Sequence, residues 1–151
     1  MSVVTVSVDV DAPAERVWEA ISDPRNLPHW DRHIARVDGV PATGMREGTR
    51  YVTEMRFVGV RSKIRVQVIE WDPPRRAKFR LRGVLEGTVT STVEALEPGR
   101  SRLEHVVDYR FKGGPIGALA ARSLRMVGGA TYALRHGTLA QKREIERRSR
   151  G

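Results

Sequence analysis

Between residues 49 and 111 the chain alternates apolar and polar residues in run after run, with only short turns between runs, and this constrains the fold more than any other feature. Tyr51, Thr53, Met55 and Phe57 oppose Arg50, Glu54 and Arg56. Ile64, Val66 and Val68 oppose Lys63, Arg65 and Gln67, and Phe79 and Leu81 oppose Lys78, Arg80 and Arg82. A period of two places alternate side chains on opposite faces of a strand. In the next run Val89, Ser91, Val93 and Ala95 face away from Thr88, Thr90, Thr92 and Glu94, and the valine register is assigned inward. In the last, Leu103, His105, Val107, Tyr109 and Phe111 alternate with Glu104, Val106, Asp108 and Arg110. Gly59-Val60, Asp72-Pro73-Pro74 and Glu97-Pro98-Gly99 punctuate these runs as turns. Strands joined this tightly form an antiparallel meander, whose apolar face needs a single covering layer.

The cover is the stretch after Gly113-Gly114-Pro115, where Pro suits the first helical turn because its missing N–H would be unpaired there anyway. On a helical wheel Ile116, Leu119, Ala120, Ser123, Val127, Ala130, Leu134 and Ile145 share one side, and Arg122, Arg125, Arg143 and Arg147 the other. This apolar stripe is small-sided, so a helix laid over a sheet leaves either close packing or a void. Gly128-Gly129 and Gly137 are expected bend points. At the other end of the chain, Val4, Val6, Val8 and Val10 alternate with Val3, Thr5, Ser7 and Asp9 as a first strand. Asp11-Ala12-Pro13 then opens a helix with Ala14, Val17, Trp18 and Ile21 on its apolar side. Residues 25–33, with Pro28 in the middle, form a short helical turn or a loop, and residues 34–40 a short strand.

With 151 residues the chain suits one domain, 1–151, ending in a frayed charged tail from about residue 144. The absence of cysteine excludes disulfides, thiolate metal ligation and thiol nucleophiles. The N-terminal residues lack a basic segment before an apolar run, and no stretch of eighteen apolar residues occurs, so the chain reads as cytoplasmic, without an integral membrane segment. A net charge of +9 could attract nucleic acid. Its basic residues are scattered among acids and carry no nucleic-acid motif, so nucleic acid is not an expected partner. His29 and His33, with Asp31 between them, have the i, i+4 spacing of two metal ligands on a helix face, but Pro28 and the lack of a further ligand argue against a metal site. Gly113-Gly114-Pro115-Ile116-Gly117 lacks the Lys-Ser/Thr of a phosphate loop. Neither a metal nor a cofactor is expected.

Val8-Asp9-Val10-Asp11-Ala12-Pro13-Ala14-Glu15-Arg16-Val17-Trp18, then Ser22-Asp23-Pro24 with Leu27-Pro28-His29-Trp30, then Glu94-Ala95-Leu96-Glu97-Pro98 carry a resemblance. Across essentially its whole length the chain resembles the helix-grip, START-like (SRPBCC) superfamily, which includes START lipid-transfer domains, the birch-pollen allergen and bacterial polyketide cyclases/dehydrases. The resemblance implies an α+β fold, a curved antiparallel sheet of about six or seven strands wrapped around a long C-terminal helix, with a deep apolar cavity between them. It also implies that Trp30 lies near the cavity mouth. Fold alone does not choose among lipid, quinone, hormone and polyketide chemistry.

The inward registers supply Tyr51, Met55, Phe57, Ile64, Val66, Phe79, Leu81, Ser91, Val93, Val107 and Tyr109 from the sheet, and Val127, Ala130 and Leu134 from the helix. Such a lining suits a lipophilic small molecule. The same composition also suits a filled core. His105 is the one histidine on an apolar strand register, either a general acid or base, or a buried imidazole satisfied by Ser91, Tyr51 or Tyr109. No acid stands inward to complete a Ser/His/Asp arrangement. Three functions follow: binding of a polyketide, lipid or quinone, polyketide cyclisation or dehydration with His or Tyr acid–base help, and attraction of membrane, RNA or ribosome to the basic surface. A monomer or homodimer is expected.

Overall fold

In a computed structural model, which describes residues 2–57, 60–126 and 128–150, the alternating runs form one seven-stranded antiparallel sheet. Its strands are β1 (Ser2–Val10), β2 (Ile34–Asp38), β3 (Arg50–Phe57), β4 (Val60–Asp72), β5 (Arg76–Arg82), β6 (Leu85–Glu97) and β7 (Arg100–Phe111). Their order is β1-β7-β6-β5-β4-β3-β2, so β2 to β7 form the expected meander and β1 pairs with the last strand. Gly59 of the expected turn lies outside the described residues.

The helices are α1 (Ala14–Ile21), α2 (Leu27–Trp30), α3 (Pro115–Met126) and α4 (Gly129–Arg150), with a 3-10 turn at Pro24–Asn26 before α2. Pro13 stands before α1 in an extended conformation, and Asp23 caps the 3-10 turn by accepting from the Arg25 amide at 3.0 Å. Within residues 25–33 the short helix is therefore α2, which Pro28 tolerates because it sits in its first turn, and residues 31–33 turn into β2.

Register irregularities at Ile34/Arg36, Val68/Glu70 and Ala95/Glu97 curl the sheet, as bulges do by bending one strand against its neighbour. Gly87 adds to this: its φ is +148°, and a Cβ there would run into the Asp108 carbonyl of β7. Only glycine permits that approach.

Two apolar clusters hold the layers together. One joins β1, α1 and the far end of α4 through Val10, Val17, Trp18, Leu103 and Ile145; the other joins α3 to β3 and β4 through Tyr51, Ile64, Val66 and Ala120. Phe79 touches both.

Three sequence expectations change. The covering stretch is two helices, broken at the expected Gly128-Gly129 point, where both glycines have positive φ. Ile116 is exposed, because the small residues Gly117, Ala120 and Ser123 form the buried side of α3. The tail beyond residue 144 is helical to Arg150. Ile145 is only 2% exposed, Lys142 Nζ donates to the Asp9 carbonyl at 2.6 Å, and Glu146 accepts from the Asp11 amide at 2.8 Å. Replacing Ile145→Ala therefore costs about 2–5 kcal/mol in urea unfolding, the range for a buried aliphatic. A frayed tail would give a change within about 0.5 kcal/mol.

Candidate functional site

The backbone of α4 lies close to β1 and α1, whereas β3, β4, β5 and β6 have no comparable approach from it. The inward side chains of those central strands face a hollow of about 250 Å³ instead. Tyr51, Thr53 and Met55 line it from β3, Ile64 and Val66 from β4, Phe79 and Leu81 from β5, Leu85, Val89 and Ser91 from β6, and His105 and Val107 from β7. Ala133, Leu134, Gly137, Thr138 and Gln141 form the helix wall. One end is closed by Ile21, Ser22, Pro24, Leu27, Trp30, Asp31 and Ile34. Met55, Phe79, Leu81, Val89, Val107 and Leu134 point inward yet remain partly accessible. A filled interior at normal packing density would bury them, so the small-sided helix leaves a void here.

One polar chain crosses the hollow's wall. His105 Nδ1 lies 2.7 Å from Ser91 Oγ, and its Nε2 lies 2.8 Å from Gln141 Oε1. The Gln oxygen can only accept, so Nε2 carries the proton and Nδ1 accepts from the Ser91 hydroxyl. Both ring nitrogens are satisfied by neutral groups. Burial holds the imidazole below its ordinary titration range, partly offset by the Gln141 bond. The group is thus a neutral base at neutral pH, linked outward through a serine hydroxyl.

Tyr51 is the second polar point. It is 6% exposed, its hydroxyl makes no hydrogen bond with another described residue, and burial pushes its ionisation up. Such a phenol stays protonated and is a ready donor to a ligand oxygen. Thr53 and Thr138 hydroxyls are already committed to backbone carbonyls, at 3.5 Å and 2.7 Å.

Of the residues singled out from sequence, Trp30, Tyr51, Met55, Ile64, Val66, Phe79, Leu81, Ser91, His105, Val107 and Leu134 meet around the hollow. Val93 does not: it is packed into the cluster beneath α1. Tyr109 sits farther along β7, edge-on to Phe111 at 5.7 Å between ring centroids. The Phe57 side chain and Val127 lie outside the described residues. Trp30 is buried at the end wall. Among described residues no three His, Asp or Glu side chains are placed to hold a metal. His29 is exposed and His33 pairs with Asp31 at 3.2 Å.

Gln141 and Thr138 escaped the sequence reading because they are polar. Their spacing signalled them: positions 134, 138, 141 and 145 follow the four, three, four steps of one helix face. The end wall from residues 21–34 has no period to read.

A curled antiparallel sheet gripping a C-terminal helix around a lined hollow defines the START-like helix-grip class. The family model described as polyketide cyclase/dehydrase and lipid transport matches residues 1–142, and the chain belongs to that family. An uncharacterized protein of Mycobacterium tuberculosis is 29% identical over 131 residues, spanning 83% of this chain and 90% of its own. Among solved structures, a START superfamily protein from Mycobacterium smegmatis superposes with TM-score 0.69 at 19% identity, covering 96% of this chain and 97% of that one. The ZhuI aromatase/cyclase from a Streptomyces species does so with TM-score 0.71 at 15% identity, covering 99% and 93%. At these identities the two structures establish the fold. No helix among the described residues is long and apolar enough to cross a membrane.

The buried imidazole has a measurable consequence. The unfolded chain protonates near the ordinary value of 6.5, whereas folded His105 protonates only at lower pH. Stability therefore falls as pH drops below 6.5, because the unfolded state binds more protons. His33 acts oppositely: its bond to Asp31 raises its folded value, and its contribution is lost as pH rises through that value. Denaturant unfolding of wild type and His105→Gln between pH 7 and 5 separates the two. The variant's decline should be shallower, by at most about 1.4 kcal/mol per pH unit, the limit for one proton.

Proposed function

We propose that the protein binds a small lipophilic molecule, of polyketide, lipid or quinone type, in the hollow between the central strands and α4. The observation that carries this reading is a mostly apolar cavity with a few polar residues, chief among them Tyr51 and the hydrogen-bonded Ser91–His105–Gln141 chain. Apolar lining supplies affinity, at roughly 25 cal/mol per Å² before the costs of association, and the fixed polar atoms orient a ligand oxygen. At about 250 Å³ the hollow sits near the low end of small-molecule sites, which favours a compact, flat ligand over a long acyl chain. Native mass spectrometry of the freshly purified protein, compared with its denatured mass, identifies any bound molecule. Titration with a hydroxylated tricyclic quinone, followed by quenching of tryptophan fluorescence, to which Trp30 at the end wall contributes, gives the affinity. Val107→Phe places a ring inside the hollow and should weaken that binding by about tenfold or more. Unchanged affinity would put the ligand elsewhere.

The neutral imidazole behind a serine hydroxyl favours a second reading, cyclisation or dehydration of a poly-β-keto chain. The hollow would contribute proximity by holding the chain folded. Ser91 would pass a proton from an activated carbon or hydroxyl of the substrate to His105 Nδ1, while Tyr51 donates to the developing enolate oxygen. His105→Gln then lowers cyclised product from a poly-β-keto thioester by about a hundredfold or more, with quinone affinity retained. Loss of neither would leave binding as the function.

A further inference from the structure

The outer face of the sheet, behind the hollow, carries four arginines that no carboxylate neutralises. Arg50 on β3, Arg65 on β4, and Arg80 and Arg82 on β5 line a shallow depression of about 400 Å³, together with Gln67 and Asp38. The register makes the cluster compact: Arg50 pairs across to Gln67, Gln67 to Arg80, and Arg65 to Arg82. With strands about 4.8 Å apart and alternate residues about 6.8 Å apart, the four Cα atoms fall within roughly 10 by 7 Å.

All four side chains are exposed, and none is in an ion pair among the described residues. The surrounding acids are engaged elsewhere. Asp38 holds Arg36 at 2.8 Å, Glu54 faces Arg61 at 3.4 Å, and Glu70 holds Arg76 at 2.8 Å. At the other end of the same face, Asp9 is shared by Arg100 and Arg102, and Glu86 faces Arg110. Charge pairs recur on this surface, and among the described residues the depression gathers four arginines outside any such pair. Like charges directly across a strand pair, as at Arg65 and Arg82, are destabilising unless an anion sits between them.

We propose that this depression is a binding site for a compact polyanion with two or three linked phosphate groups. Guanidinium forks match phosphate oxygens in pairs, and several converging forks favour linked phosphates over a single one. The patch is short, and the arginines of α3 and α4 lie across the sheet on the opposite layer. Beyond the four arginines the outward basic residues Lys63 and Lys78 stand opposite Glu54 and Glu70, so among the described residues the uninterrupted basic area is too short for a nucleic-acid backbone or a membrane plane. The site is separate from the hollow, although Tyr51 and Val66 border both.

Isothermal calorimetry with inorganic triphosphate, at about 0.15 M salt where diffuse attraction is screened, tests the proposal. Wild type should bind one triphosphate per chain saturably, and the double variant Arg65→Gln, Arg80→Gln should bind about tenfold or more weakly. Arg122→Gln, Arg125→Gln removes the same charge from α3 and should change affinity by less than about twofold. Thermal unfolding runs alongside: triphosphate raises the wild-type midpoint but not that of the sheet variant, which must itself unfold cooperatively. The proposal is overturned by no saturable binding, or by equal weakening in both double variants. Binding confined to phosphatidylglycerol vesicles or to an RNA oligomer, with none to triphosphate, overturns it too.

Discussion

The structure depends on where α4 is anchored. Its C-terminal half is tied down by Ile145 in the core, by Lys142 on the Asp9 carbonyl and by Glu146 on the Asp11 amide. Its N-terminal half leaves α3 at two glycines in left-handed conformation. A helix fixed to one side of a curled sheet cannot also press on the sheet's centre. More bulky side chains could have bridged the gap, but beside Leu134 and Gln141 the turns of α4 that face it present Ala133, Gly137 and Thr138. The void is therefore a result of helix placement and side-chain size together, and either change alone would fill it.

The same geometry explains the buried polar chain. A polar group inside an apolar wall costs free energy unless its hydrogen bonds are made. His105 meets that demand with one partner on the neighbouring strand and one on the helix, so the sheet and α4 are joined by a directional link at the edge of the void. A leucine at this place would leave the buried Ser91 hydroxyl and Gln141 amide without this partner. The retained imidazole is the feature that gives the site chemistry besides shape.

How much of this was legible in the chain depended on periodicity. Period two exposed the strands and their inward registers, Ser91 and His105 among them, because a half-buried strand writes its burial into every second residue, whereas their pairing across β6 and β7 depends on a strand register that alternation does not specify. Where the register ran past the void it misled: Val93 and Tyr109 face inward but lie beneath α1 and beside Phe111, since alternation fixes the face and not the position along it. The end wall from Ile21 to Ile34 was illegible, because Pro24 and Pro28 impose short turns whose side chains follow no period. The order of the charged C-terminus was hidden for another reason. A single isoleucine and two hydrogen bonds hold it, and neither composition nor hydropathy registers contacts with the chain's first strand.

Alternation also bears on the arginines of the outer face. In a strand buried on one side, outward positions are free of packing demands, and several here are filled by complementary charges. If the excess of arginine were only compositional, it would be expected to spread over these free positions, with opposite charges relieving it as they do around Asp9. Instead Arg50, Arg65, Arg80 and Arg82 occupy four of six adjacent outward positions on three strands, and Gln67 and Val52 the other two. Mutual repulsion among them is weak in water but is not zero, and it grows when one guanidinium limits the solvation of the next. The three strands that bear this cluster are among the five whose inner faces line the hollow. A ligand on either side would therefore act on the same sheet segment, stiffening the wall that the other contacts.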